Sequence, residues 1–185
     1  MTGARSSRPR VRRLGRSFFD RPTVTVARAL LGATVRVGDR AVRLVETEAY
    51  VAGDPASHTF RGPTRRNRSM FGAPGTLYVY RIHQVVCANL VTRSGEAVLL
   101  RAGEPLGLLA VNPSGPGRLC AVLGLTIGDD GTDVTRDGRI RLYGRLRRPA
   151  RIAVGPRVGI RRAVDRPLRF AEAGNRWVSR PRPSA

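Results

Sequence analysis

Glu46, Glu48 and Tyr50 stand at alternate positions of L-V-E-T-E-A-Y (44–50). In a strand, alternation puts all three on one face, with Leu44 and Val42 behind them. Two carboxylates beside an aromatic ring and aliphatic neighbours are costly to bury without partners. The pattern therefore marks either a site where a carboxylate does acid–base work or a solvated face whose glutamates pair with arginines. The strand by itself leaves both readings open. A second stretch, G-T-L-Y-V-Y (75–80), places Tyr78 and Tyr80 on a common face. Tyrosines clustered near carboxylates suit a slot that stacks a flat, cationic ring, and they equally suit ordinary core packing.

Other groupings carry less. Asp129, Asp130, Asp133 and Asp137 resemble a calcium loop but lack its closing bidentate glutamate, so a solvated turn with Asx-type hydrogen bonds is expected. Gly115, Pro116 and Gly117 lack the Lys-Ser/Thr ending of a phosphate loop and read as a turn that opens a helix. The 2 cysteines and 2 histidines are set singly, with neither a zinc spacing nor a disulfide framework. No metal or cofactor is expected.

Charge supplies the partner. The chain has 185 residues and a formal net charge of +21, and all 34 basic residues are arginine. Such an excess strains a compact fold unless a polyanion relieves it, which points to nucleic acid. Preference for arginine over lysine alone would follow from a GC-rich genome, but that bias does not account for only 13 acids. Residues 1–16 hold six arginines and no acid. A disordered basic arm that follows the DNA backbone is expected there, with an Arg-rich transit peptide as the alternative. No apolar run approaches the roughly 18 residues of a membrane span. A reduced, cytoplasmic, nucleoid-associated monomer without membrane contact is expected.

The elements that must position these residues follow from periodicity. A helix is predicted over 20–31, with Asp20 as N-cap, Pro22 in the first turn and Gly32 as the stop. Strands are predicted over 33–37 and 42–50, then 76–82 and 85–92 as a tight hairpin with His83 and Gln84 at its tip, then 97–102. A polar loop, 51–69, carries several arginines, and 117–123 reads as a short helix. Short strand signals recur at 139–143, 151–154 and 158–160. The class is α+β: one domain over 17–180, with a curved, largely antiparallel sheet, a protruding β-hairpin and flanking short helices, followed by a tail at 181–185.

Motifs run in order along nearly the whole chain from F-F-D (18–20): V-E-T-E-A-Y (45–50), H-x-x-R-G (58–62), R-N-R-x-M-F (66–71), P-G-T-L-Y-V-Y (74–80), C-x-N (87–89), V-L-L-R-A-x-E-P-L (98–106), R-V-G-I (157–160), R-P-L-R-F (166–170) and W-V-S (177–179). Together they resemble the alkyladenine (3-methyladenine) DNA glycosylase family. The resemblance implies monofunctional excision of damaged purines from double-stranded DNA, such as 3-methyladenine, 7-methylguanine, hypoxanthine or ethenoadenine, at the start of base excision repair. It implies Glu48 as the general base, with Arg101 and the carbonyl of Ile160 helping to hold the water. Tyr50, His58 and Tyr80 would wall the flipped base, Asn89 would screen its edge against guanine's amine, and Leu99 would lie beside the pocket. Met70, Arg66 and the tip residues His83 and Gln84 would contact DNA. The lack of lysine fits this reading, since backbone cutting normally proceeds through an amine nucleophile.

Three departures from the family pattern bear on rate and lesion range. His83 and Gln84 stand where the tip normally offers a tyrosine then glycine, so a smaller imidazole must wedge into the duplex, protonated by the minor groove's negative potential, or the tip is merely a turn. The segment 107–117 is shortened, with the basic arm as a substitute contact. Arg161 stands where glycine is usual. A damage-recognising DNA-binding protein with little catalysis, and a general basic RNA-binding module, are the competing readings.

Overall fold

The computed structural model describes residues 11–107, 112–145 and 148–183. Among them, eight strands form one antiparallel sheet: β1 (Ala33–Val37), β2 (Arg40–Tyr50), β3 (Leu77–Ile82), β4 (Val85–Arg93), β5 (Glu96–Pro105), β6 (Ile140–Arg145), β7 (Ile152–Gly155) and β8 (Arg169–Glu172). Three short helices accompany it, α1 (Arg16–Phe19), α2 (Thr23–Leu30) and α3 (Pro116–Leu123). The expected α+β class is found.

The strand order is β3-β4-β5-β2-β1-β6, with β7 and β8 off this path. β2 is the pivot. It runs along β5 on one side; on the other it pairs first with β1 (Val42 opposite Val35) and then with β8 (Glu48 opposite Arg169). Its register against β5 shifts around Glu46. A bulge of this kind bends a strand and re-aims its side chains, and here it falls beside the paired carboxylates. The core is aliphatic: Leu30, Leu44, Leu77, Leu90, Leu100, Leu119 and Leu123 are at most 1% exposed.

α2 forms because Val26, Ala27 and Leu30 recur at helical spacing and turn to this core. Its start corrects the prediction. Asp20 closes α1, its N–H bonding to Arg16 O at 2.9 Å, and Pro22 is the N-cap of α2 rather than a first-turn residue. The helix begins at Thr23 rather than Asp20 because proline disfavours helical geometry in the residue before it, and α1 lies wholly before the predicted span. The region 158–160 is not a strand, since Gly159 sits at φ +79. α3 opens at Pro116 and closes at Gly124, which adopts φ 69.

The hairpin β3–β4 turns through His83 and Gln84, with Ile82 opposite Val85. His83 takes φ 51, the left-handed value that a two-residue turn demands. Arg81 to Val85 are all exposed. Val85 also reaches α3, where Gly117 leaves no room for a Cβ between helix and hairpin.

Of the arm expected over 1–16, residues 1–10 lie outside the described residues, and 11–16 are bound to the body. Leu14 N donates to Leu142 O at 2.8 Å, Arg13 bridges to Tyr143, and Arg16 pairs with Asp133 at 2.6 Å. Unsatisfied edge groups of β6 accept this segment, so it behaves as an extra edge strand. Of the tail, 184–185 lie outside the described residues, while Pro183 rests against Gly155. In the shortened segment, 108–111 also lie outside them.

Candidate active site

β2 and β5 bring the chemistry together. Glu48 is fully buried, and three donors hold its carboxylate: Val158 N–H at 2.9 Å, the Tyr50 hydroxyl at 3.0 Å and Arg101 Nη1 at 3.1 Å. Tyr50, Arg101 and Val158 all line a cavity of about 420 Å³. Glu48 therefore lies beneath the floor of a chamber large enough for a purine nucleoside, and neither solvent nor a packed core surrounds it.

Glu46 plays a different part. Its Oε1 accepts from Arg169 Nε at 2.5 Å, Ser179 Oγ at 3.0 Å and Arg101 Nε at 3.3 Å, and its Oε2 accepts from Ser179 N at 2.8 Å. Glu46, Arg101, Arg169 and Ser179 are each at most 5% exposed. Buried charges persist only when paired and hydrogen-bonded, and such networks fix geometry more than they add stability. Here the geometry fixed is that of Arg101, gripped by Glu46 on one side and by Glu48 on the other.

The walls are aromatic. Tyr78 and Tyr80 stack with centroids 5.4 Å apart, and the His58 ring stands edge-on to Tyr80 at 4.5 Å. His58 Nδ1 lies 2.9 Å from the Tyr78 hydroxyl, and Asn67 ties the loop behind it by donating to His58 O at 2.8 Å. Tyr50 is backed by Arg157, whose guanidinium pairs with Asp54 at full burial.

These surroundings set the proton states. Burial raises the Glu48 carboxyl, against the pull of the Arg101 charge and of the bonds from Val158 and Tyr50. Burial also lowers His58, which keeps its imidazole neutral near pH 7, and pushes Tyr78 up to about 12, aided by Asp130. Burial would raise Asp54 as well, but the hydrogen bonds and charge of Arg157 outweigh it and hold the carboxyl low.

The structure brings Tyr50, His58, Tyr80, Asn89, Leu99, Arg101 and Ile160 to this one cavity, with Glu48 under it. Met70, expected on the DNA-contacting surface, is 3% exposed; it lines the same cavity and packs with Tyr78, Val91 and Ala97. An unbranched apolar side chain between two tyrosine-bearing elements fills space there. His83, Gln84 and Arg66 lie outside the cavity and are exposed. Sequence reasoning missed the Val158 N–H, the Asp54–Arg157 pair, and Arg169 with Ser179. The motifs R-V-G-I, R-P-L-R-F and W-V-S contain all of these but Asp54, which lies in the polar loop after β2, and no local spacing says that they converge. Among the described residues no group of three or more His, Cys, Asp and Glu could hold a metal.

Residues 17–176 match the family model described as methylpurine-DNA glycosylase. The chain belongs to that family. It is 47% identical over 180 residues to a protein of Agrobacterium fabrum, covering 89% of this chain and 91% of the other. It is 44% identical over 187 residues to one of Methanoculleus marisnigri, covering 89% and 97%. Both relatives carry the name "Putative 3-methyladenine DNA glycosylase". As a member of the methylpurine-DNA glycosylase family, the chain is a DNA-repair hydrolase acting on N-glycosyl bonds.

Proposed function

We propose that this chain works as a monomer that rotates a damaged purine out of duplex DNA and hydrolyses its bond to the sugar, with Glu48 as general base. The observation that carries the reading is the Glu48 carboxylate, held by Val158, Tyr50 and Arg101, three residues that themselves line an aromatic-walled cavity. A base inside a duplex is unreachable, and extrusion costs a few kcal/mol, least for damaged pairs. The extruded purine stacks between Tyr50 on one side and His58 and Tyr80 on the other.

Water then sits between Glu48 and the sugar carbon, oriented by Arg101 and by the carbonyl of Ile160. As its oxygen bonds to that carbon, its proton passes to Glu48 and the electron pair of the broken C–N bond leaves with the purine. The ionised carboxylate also steadies the cationic character of the sugar in the transition state. An alkylated, cationic purine such as 3-methyladenine or 7-methylguanine leaves as a neutral molecule. A neutral lesion such as hypoxanthine or ethenoadenine needs a proton delivered to its ring, so its excision is slower. The neutral state of His58 matters here: an imidazolium in the wall would repel a cationic base.

The test uses duplex oligonucleotides with one lesion each, scored for alkali-labile cleavage. Excision by the wild type that is lost in Glu48→Gln supports the reading. Tight lesion binding with no excision by the wild type replaces it with a damage-recognising binding protein, and binding without preference for duplex favours a general RNA-binding module.

A further inference from the structure

A second cavity of about 440 Å³ adjoins the first, and Arg101 lines both. Its walls carry Arg101, Arg118, Arg176, Arg180 and Arg182, and among the described residues no carboxylate lines it. Arg118, Arg176, Arg180 and Arg182 are exposed, whereas Arg101 is already compensated by Glu46 and Glu48. Gly115 is the N-cap of α3, and Pro116, the next residue, lines the base cavity. The two chambers thus meet at two points, the Arg101 guanidinium and the first turn of α3. Arg101 Nη1 reaches Glu48 at 3.1 Å, while Nη2 reaches Ser179 Oγ, in the wall of the second cavity, at 3.2 Å.

We infer that this arginine-lined cleft is a phosphodiester site, occupied by the DNA backbone immediately beside the extruded nucleotide. The ligand must be an oxyanion, since the side chains at the rim are hydrogen-bond donors and positive charges, and guanidinium groups match phosphate geometry. The helix N-terminus adds its partial positive charge. The backbone is the favoured source of the phosphate, rather than a free ion, because the cleft begins where the base chamber ends. A nucleotide whose purine fills the first chamber carries its phosphates past Arg101 to the second. The inference rests on DNA as the substrate but not on the role of Glu48.

The experiment measures binding of a lesion-bearing duplex across a salt series, for the wild type, Arg118→Gln and Arg180→Gln, with Arg136→Gln as an exposed control outside the cleft. Each phosphate contact contributes about 0.9 to the slope of log K against log salt. Each cleft variant should lower the slope by about one unit, and Arg136→Gln should leave the slope in place. A duplex with an uncharged methylphosphonate beside the lesion should weaken wild-type binding but not that of Arg118→Gln. Equal slopes in all variants, or an equal drop in the control, overturn the inference. Competition by inorganic phosphate with no methylphosphonate effect assigns the cleft to a free anion and likewise overturns it. Loss of excision in Glu48→Gln with the slope intact bears only on the catalytic proposal, so the two can fail separately.

Discussion

Arg157 sets its guanidinium carbon 4.6 Å from the centre of the Tyr50 ring. The same guanidinium donates to Ala49 O at 3.1 Å and pairs with Asp54 at full burial. A cavity wall is therefore backed by a cation that is itself neutralised. Arg157→Met strips the buried Asp54 of its main partner and leaves only the more distant Arg166, at 4.0 Å. We expect a loss of about 3–5 kcal/mol, read as a lower urea midpoint at unchanged slope. The double variant Arg157→Met with Asp54→Asn should recover much of it. Because Asp54 is held below its unfolded value of 3.8, its stabilising effect is present above that pH and lost as pH falls below it. The gap between wild type and Asp54→Asn should close in acid.

A second expectation concerns the pH–rate profile. A base must be ionised to act, and Glu48 is raised above 4.5 because burial outweighs the Arg101 charge. Excision should fall on the acid side of a pH above that of a free glutamate. Arg101→Gln removes the main lowering influence, so its acid limb should move to higher pH. Glu48→Gln should cost about 10²–10⁴ in single-turnover rate.

Stability should move the other way. A carboxyl whose folded value is raised favours its protonated form, so its contribution is full below 4.5 and is lost as pH rises through the folded value. Above its folded value the ionised Glu48 strains the fold, and an uncharged amide removes that strain. Glu48→Gln should raise Tm by about 2–4 °C, corresponding to ~1 kcal/mol for a chain of this size. An equal or lower Tm would count against a charge held there for function.

The hairpin tip offers a graded test. His83→Tyr enlarges the stacking area and should speed excision, whereas His83→Ala should slow it by about tenfold, since base–aromatic stacking contributes roughly 1–3 kcal/mol. If neither substitution changes the rate, His83 is not the wedge.

Asn89 lines the cavity and spends one N–H on Tyr78 O at 3.3 Å. Asn89→Ala opens space at the base edge and should increase release of undamaged guanine relative to damaged purines, scored on matched duplexes.

The strands that build the floor were legible because alternation and turn residues agree: L-V-E-T-E-A-Y reads as a strand, and two residues between 82 and 85 can only form a tight turn. The face shared by Glu46 and Glu48 was legible too, but not their division of labour. That depends on β8, whose four residues include Arg169 and Glu172; buried charges in so short a segment carry no apolar signal. The Val158 N–H could not be found from side-chain patterns at all, because its role comes from the chain's path through Gly159 at φ +79. The early helix break was available in principle, since proline at position 22 restricts Arg21.

Gly117 and Val85 meet with no space for another carbon. Whatever pushes on the exposed tip is thus transmitted through Val85 to the first turn of α3, at the rim of the arginine-lined cleft. If the tip pries at the duplex and the cleft grips its strand, as proposed, the two actions are braced against one another, like the two arms of pliers sharing a rivet. A larger side chain at position 117 would loosen both at once while leaving the carboxylate floor untouched.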